Sequence, residues 1–351
     1  MTEPLPFFEL TREELEAWFT DRGEPAYRAR QLFTNVYRRR LTDFEAMTDL
    51  PKALRAELAR RFDLDLLSPT GRAESADGAA VKQLWTLPDG KQIESVFMTA
   101  DYRETICFST QVGCAFGCAF CITAKMGRLR HLSAGEITAQ IFHLVRTRKT
   151  RERGVNLVAM GMGEPMDNLD ALLKAMRIVS DPLGLNISPR RMTVSTVGVV
   201  PGIRRLAAEA PQARLALSLN ATTDEVRRSL MPVTRKYPIE AVLEAVEEHT
   251  RTTRARVTLE YVLIRGLNDS PDDADRLGRI ARRFPSKVNV IPFNPSALFP
   301  FERPTDEEVD AFARRLWRFH TTVTVRYSKG LDILAACGQL GYDQVAAGGA
   351  S

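Results

Sequence analysis

The feature that most constrains the fold is a repeated order of strand, loop and helix that begins near residue 103. Each repeat starts with a short apolar run that predicts a strand, and an amphipathic stretch that predicts a helix follows it. The predicted strands span 105–111, 155–160, 191–196, 214–219, 257–263 and 288–292. Six such units predict an α/β fold in which a parallel sheet, buried on both faces, curves into an open, partial (β/α)6 barrel like an incomplete TIM barrel.

The first hundred residues predict a separate helical domain followed by a β-hairpin. Apolar residues recur at helical spacing over 10–19, 25–39 and 51–62, and Thr11 is suited to cap the first helix. Pro88-Asp89-Gly90 is typical of a turn between two strands. We therefore expect a helical N-terminal domain, a hairpin connector and a barrel domain with a C-terminal segment that contains the fifth cysteine, Cys337, at 1–80, 81–102 and 103–345.

Composition restricts the class of protein. Of the 351 residues, 44% are hydrophobic and 26% are charged, which excludes a disordered or fibrous chain. The 49 basic and 44 acidic residues give a net charge of +5, which is compatible with a polyanionic partner. No apolar run approaches the roughly 18 residues of a membrane helix, and no secretion signal precedes the first helix. We expect a cytoplasmic protein with no membrane partner.

Four of the five cysteines are Cys107, Cys114, Cys118 and Cys121, a local cluster that indicates metal or redox chemistry rather than a disulfide framework. The last three have C-x3-C-x2-C spacing on a predicted loop, and three thiolates can bind three irons of a [4Fe-4S] cluster. The fourth iron would then be open to S-adenosylmethionine, whose reductive cleavage releases a deoxyadenosyl radical. A structural zinc is the alternative, and it would need a fourth ligand such as His131 or Cys107.

Glycines and short polar side chains follow the other predicted strands. Gly163 and Glu164 come after the second strand, where glycine allows close approach of a ligand and the carboxylate can accept a hydrogen bond from an ammonium group. Because the carboxyl ends of parallel strands share one edge, the loops there are expected to form a single pocket. Its other predicted members are Ser195, Ser218, Leu219, Asn220 and Asn294.

Several strings resemble the bacterial 23S ribosomal RNA adenine-C2 methyltransferases, a radical S-adenosylmethionine family that also modifies certain transfer RNAs. These strings are CFSTQVGCAFGCAFC, MGMGEPMDN, STVG, ALSLNA, LMPVT, IPFNP and AACGQL. GEPAYRARQLF resembles the accessory domain of that family, so the similarity covers nearly the whole chain.

The resemblance implies a role for each matching residue. The cluster ligands would be Cys114, Cys118 and Cys121, and the cofactor pocket would contain Gly163, Glu164, Ser195, Ser218, Leu219, Asn220 and Asn294. Cys337 would carry the methyl group, Cys107 would resolve the covalent intermediate, and Glu94 matches the proposed general base.

The chemistry explains the two additional thiols. Carbon 2 of adenine is electron-poor and has no lone pair, so it cannot attack a sulfonium methyl group. In the family's scheme one S-adenosylmethionine methylates Cys337, and a second yields the radical that abstracts hydrogen from this methyl group. The methylene radical adds to carbon 2, and Cys107 later attacks the Cys337 sulfur to leave a disulfide. This scheme implies two S-adenosylmethionine molecules per turnover and an electron donor such as flavodoxin or ferredoxin.

Two alternatives to this function stay open at this point. One is the related adenine-C8 methyltransferase that confers antibiotic resistance, and the other is a non-catalytic, zinc-stabilised RNA-binding protein. We expect a monomer that binds 23S rRNA and tRNA.

Basic residues are the candidate RNA contacts, because phosphate contacts position a nucleic acid without reading its sequence. They cluster at 38–40, 146–153, 204–205, 227–228 and 235–236. The helical domain, with Tyr27, Arg28, Arg30 and Tyr37, is the predicted docking surface.

Overall fold

The computed structural model describes residues 4–100, 103–147 and 154–348. Its N-terminal part contains the helices α1 (Arg12–Thr20), α2 (Ala26–Phe33) and α3 (Lys52–Arg61), with the short parallel strands β1 (Leu5–Pro6) and β2 (Phe62–Asp63). As predicted, Thr11 caps α1, and Glu14 completes a capping box. The stretch 25–39 is not one regular helix, because a π-helical turn covers Thr34–Arg38.

The remaining strands are β3 (Ser68–Glu74), β4 (Ala80–Thr86), β5 (Gln92–Ala100), β6 (Arg103–Cys107), β7 (Gln111–Gly113), β8 (Arg128–His131), β9 (Val155–Ala159), β10 (Met192–Thr196), β11 (Arg214–Ser218), β12 (Val257–Leu263), β13 (Ser286–Pro292) and β14 (Thr322–Val325). Except for β7 and β8, which pair with each other, they form one sheet in the described part of the chain. Strands β3 to β6 are antiparallel, and β6 and β9 to β14 are parallel neighbours.

Three sequence predictions about this sheet need correction. The first predicted strand, 105–111, ends at Cys107, and the chain then turns into the separate strand β7. β3 lies within residues 1–80, which were expected to form a helical domain. β14 adds a seventh parallel strand to the six predicted, among the residues that the structure describes.

Helices connect the parallel strands and cover the outside of the barrel, as right-handed crossovers require. They are α5 (Ala134–Arg146), α6 (Leu169–Ser180), α7 (Val200–Glu209), α8 (Asp224–Leu230), α9 (Ile239–Thr253), α10 (Pro271–Ala281) and α11 (Asp306–Trp317). The short helix α4 (Ile122–Lys125) lies between β7 and β8 and contacts the C-terminal helix α12 (Tyr342–Gly348). Among the described residues, no helix combines the length and the apolar character that crossing a membrane needs.

The sequence prediction that the parallel sheet is buried on both faces holds for β12, in which every residue except Val262 is buried, but not for β9 and β10. Alternate residues of β9 and β10 are buried against the helices, whereas those between them are only partly buried. The latter face the interior of the barrel and include Asn156 and Thr193. The alternation along β9 and β10 therefore gives these strands an apolar outer face and a more polar face toward the interior cavity.

Aromatic contacts join the N-terminal part to the barrel. The rings of Phe8 and Phe142 of α5 lie 4.9 Å apart, and His143 lies 5.4 Å from the ring of Trp85 in β4. One continuous apolar core therefore runs from the N-terminal helices into the barrel.

Candidate active site

A cavity of about 930 Å³, including its open mouth, lies at the carboxyl ends of the parallel strands. The fold places it there because every loop that follows a parallel strand reaches the same edge. Most of the predicted site residues line it: Cys118, Cys121, Gly163, Glu164, Ser195, Ser218, Asn220, Asn294 and Cys337.

Four predicted residues lie outside this lining. Cys114 is on the same loop as Cys118, and the Leu219 side chain is fully buried in the core. Cys107 lines an adjoining small cavity, and Glu94 is buried in the hairpin strand β5.

The cysteine loop holds its three thiols near one another in a buried environment. Burial raises the pKa of Cys114 to about 12, and burial together with the charges of the other two thiols raises the pKa of Cys118. Among the described residues no three His, Cys, Asp or Glu side chains are arranged to hold a single metal ion. Three thiols on one loop are a donor set that fits a cluster in which each thiolate binds a different iron.

Glu164 is fixed at the base of the cavity. Its carboxylate accepts hydrogen bonds from the backbone N–H groups of Val197 at 2.9 Å and Met166 at 3.1 Å. Burial raises its pKa to about 7. Gly163 has a φ of 100°, and a Cβ atom there would lie 2.5 Å from Cβ of Gln111, so the turn requires glycine.

Two oxygen atoms of the cavity residues have no hydrogen-bond partner. Asn294 donates from Nδ2 to the carbonyl of Cys337 at 3.1 Å, while its Oδ1 is unpaired. Glu260 of β12 has an unpaired Oε2, and sequence reasoning missed this residue because its strand reads as a core strand. Buried acceptors usually have a partner, so these two fit a ligand with N–H or O–H donors, such as S-adenosylmethionine.

The thiols of Cys107 and Cys337 line one small cavity next to the larger one. Both are free, and burial, with a smaller effect from Cys337, raises the pKa of Cys107 to about 12. Arg326 lines both cavities. The charge of Cys337 is the main cause that raises the pKa of Arg326. Arg326 follows the unpredicted strand β14, so no sequence signal pointed to it.

Hydrogen bonds join the segment that carries Cys337 to three parts of the fold: Asn294 after β13, as described above, the end of the cysteine loop, and strand β5 of the hairpin. Ile122, directly after the cysteine loop, donates its N–H to the carbonyl of Gly338 at 2.7 Å. Gly341 donates its N–H to Oε2 of Glu94 at 2.9 Å. Glu94 also pairs with Lys82 at 3.3 Å, and burial raises its pKa. The Glu94 side chain therefore contacts the backbone of the Cys337 segment, and it does not line the cavity.

The comparisons with known proteins agree with this geometry. Residues 108–277 match the radical SAM superfamily, and residues 6–64 match the ribosomal RNA large subunit methyltransferase N-terminal domain. A probable dual-specificity RNA methyltransferase RlmN from Symbiobacterium thermophilum is 46% identical over 339 residues, which cover 96% of this chain and 91% of that protein. The dual-specificity RNA methyltransferase RlmN of Syntrophobacter fumaroxidans is 43% identical over 338 residues, covering 96% and 98%.

The chain belongs to the RlmN family of radical SAM RNA methyltransferases. A crystal structure of a radical SAM methyltransferase from Sphaerobacter thermophilus matches it with a TM-score of 0.93 and 46% identity, covering 96% of this chain and 99% of that one. Membership of the superfamily implies S-adenosylmethionine and a [4Fe-4S] cluster as cofactors.

Two residues of this RlmN-family chain that were predicted to face RNA are buried instead. Tyr37 is fully buried among aromatic rings, so it cannot stack on a base. Arg227 is fully buried because its guanidinium donates to backbone carbonyls at the ends of β10 and β11. Arg146 and Thr147 are described, whereas 148–153 of the predicted basic run lie outside the described residues.

Proposed function

We propose that this chain methylates carbon 2 of adenine in 23S rRNA and in tRNA, using Cys337 as the methyl carrier and Cys107 as the resolving thiol. The observation that carries the proposal is that two free thiols, far apart in sequence, line one small cavity that adjoins the carboxyl-edge cavity. A protein that only binds RNA has no need for this pair. The RlmN relatives are named dual-specificity RNA methyltransferases, which supports the two RNA substrates.

Each cofactor has candidate ligands in the chain. Cys114, Cys118 and Cys121 would hold the cluster, which supplies the electron for cleavage of S-adenosylmethionine. Glu164 would accept a hydrogen bond from the ammonium of S-adenosylmethionine, and the unpaired Oδ1 of Asn294 would accept another. The remaining predicted pocket residues are Gly163, Ser195, Ser218, Leu219 and Asn220. Leu219 lies outside the cavity lining, and its carbonyl accepts a hydrogen bond from Arg227.

The resolving step needs the two thiols close together. After carbon 2 is joined to the methylene group on Cys337, the radical adduct loses the carbon-2 proton and its unpaired electron, which the oxidised cluster would take back. The Cys107 thiolate then attacks the Cys337 sulfur. The S–S bond forms as the C–S bond breaks, and the electron pair of that bond leaves with the methylene carbon, which takes a proton and becomes the methyl group. A thiol reductant then returns the disulfide to two thiols.

Arg326 and Glu94 support this step in different ways. The positive charge of Arg326 lowers the pKa of Cys107, opposing the burial that raises it, and so favours the attacking thiolate. We assign Glu94 the role of proton acceptor on the family resemblance, and burial, which raises its pKa, suits a base.

We also propose the cofactor use, the electron donor, the oligomeric state and the domain bounds. Two molecules of S-adenosylmethionine are used per turnover, an electron donor such as flavodoxin or ferredoxin reduces the cluster, and the protein acts as a monomer. The accessory domain, hairpin connector and barrel domain span 1–80, 81–102 and 103–345.

The test is to map methylated adenines by mass spectrometry in rRNA and tRNA from a deletion strain. The wild-type gene should restore 2-methyladenosine in both RNAs, and a gene encoding Cys337→Ala, expressed at the same level, should restore none. Methyl groups at carbon 8 would instead indicate the resistance-type activity. If the gene encoding Cys337→Ala restores a normal amount of 2-methyladenosine, Cys337 is not the methyl carrier.

A further inference from the structure

A second large cavity opens at the opposite, amino-terminal edge of the barrel. It measures about 1240 Å³ and continues into the polar interior of the barrel. Among the described residues, its lining contains one carboxylate, that of Glu260, and six cations, which are Arg103, Arg191, Arg214, Lys287, Arg326 and Lys329. This charge imbalance favours an anionic occupant.

The position of these cations follows from the strand starts. Arg103 and Arg214 are the first residues of β6 and β11, Arg191 directly precedes β10, and Lys287 is the second residue of β13. Because the strands are parallel, their starts meet at one edge and bring the four charges together. In the described part of the chain none of the four forms an ion pair with a carboxylate.

The cations affect one another electrostatically. Burial lowers the pKa of Lys287, the charge of Glu260 opposes this, and the charges of Arg214, Arg103 and Arg256 lower the pKa further. Several cations gathered around one carboxylate repel one another, and a bound polyanion would relieve this repulsion.

The basic cavity adjoins the small cavity that Cys107 and Cys337 line. It shares Met160, Glu260 and Arg326 with the cofactor cavity. It also shares Met98 and Met160 with the small cavity of Cys107 and Cys337. A base that enters at the amino-terminal edge would therefore meet the two thiols at the inner end of the barrel.

The basic surface also extends outward from this edge. Arg191 lines both the amino-terminal cavity and a groove that contains Arg38 and Arg40 of the N-terminal part. Tyr327, whose side chain is 49% exposed, stands at the cavity and offers a ring on which a base can stack.

We propose that the RNA binds at the amino-terminal edge of the barrel, with its phosphates on Arg103, Arg191, Arg214 and Lys287, and that the acceptor adenine enters the barrel from there. This inference rests on the proposed RNA methylation. It names an entry side that the sequence did not predict, since the basic clusters chosen from the sequence did not include these four residues.

The test compares two double substitutions that each remove two positive charges. R103Q/R214Q changes the amino-terminal edge, and R235Q/K236Q changes an exposed basic pair that follows α8 near the cysteine loop. The probe is a transcribed 23S rRNA hairpin that contains the acceptor adenine. Its Kd is measured by filter binding at several salt concentrations.

We expect R103Q/R214Q to weaken binding roughly 15- to 30-fold at about 0.15 M salt and to reduce the slope of log K against log salt by about 1.4 to 1.8. R235Q/K236Q should bind like the wild type. Cys337 should remain S-methylated in both variants, since none of the four residues lines the cofactor cavity. If R103Q/R214Q does not fold, K287Q tests the same surface, with a smaller loss.

Wild-type binding by R103Q/R214Q would overturn the inference, as would a loss confined to R235Q/K236Q. Neither result affects the proposed function, which fails separately if the wild-type gene restores no methylated adenine in the deletion strain.

Discussion

Arg227 anchors two loops of the cofactor cavity, and its removal should both destabilise the protein and weaken cofactor binding. Its guanidinium donates to the carbonyl of Leu219 at 3.0 Å, to Oγ1 of Thr234 at 3.0 Å and to the carbonyl of Val197. These contacts hold the segments that follow β10 and β11, which carry the predicted pocket residues Ser195 and Ser218.

The magnitude for Arg227→Met follows from two opposing contributions. In this variant three buried acceptors lose their donor, and each loss lowers the free energy of unfolding by about 2 kcal/mol. Burial lowers the pKa of Arg227 to about 10, so removing the buried charge regains about 3 kcal/mol. The expected net loss in the free energy of unfolding is about 3 kcal/mol. Arg227→Lys keeps the charge but not the planar fork of donors, and should fall between wild type and Arg227→Met.

The assay is urea unfolding of anaerobically purified holoenzyme, with equilibrium dialysis against labelled S-adenosylmethionine. The neighbouring Arg228 is exposed, so Arg228→Met is the matched control and should change stability by no more than about 0.5 kcal/mol. Equal stabilities of the Arg227→Met and Arg228→Met variants, with equal cofactor affinity, would refute the anchoring role.

Three further predictions concern the thiols and pH. Alanine at any one of the three loop cysteines should abolish the iron–sulfur absorbance and deoxyadenosine formation, and retained cofactor cleavage would contradict the ligand assignment. Cys107→Ala should stall with RNA attached to Cys337, visible as a nuclease-sensitive band on a denaturing gel, whereas an adduct that survives in the Cys107→Ala/Cys337→Ala double variant would disprove the assignment. Burial lowers the pKa of His143 to about 4, so the unfolded chain takes up its proton first, and stability should fall by about 2 kcal/mol between pH 7.5 and pH 5. His143→Leu should lack this part of the pH dependence in urea unfolding, and an equal loss in both proteins would contradict it.

Much of the candidate site was predictable because its signals are local. The spacing of Cys114, Cys118 and Cys121 specifies three thiols on one loop, whatever the rest of the fold does. The positions of Glu164 and Asn294 after strands were informative because parallel strands end at one edge.

Other features could not be predicted because they depend on burial rather than on local pattern. Arg227 and Arg228 are adjacent and identical in type, yet one is fully buried and the other exposed. Tyr37 is in a predicted helix with arginines beside it, but aromatic rings enclose it. β14 is only four residues long, too short for periodicity to identify it, and Arg326 follows it.

The sequence by itself determined six repeats of strand and helix, the cysteine loop and the family, because each of these depends on residue types at fixed spacing along the chain. Tertiary structure alone decided that Cys107 meets Cys337 across 230 positions of sequence. It also decided that cations from separate strands gather at the amino-terminal edge. The physical reason is that both arrangements follow from the curvature and register of the sheet, and no short segment of sequence contains that information.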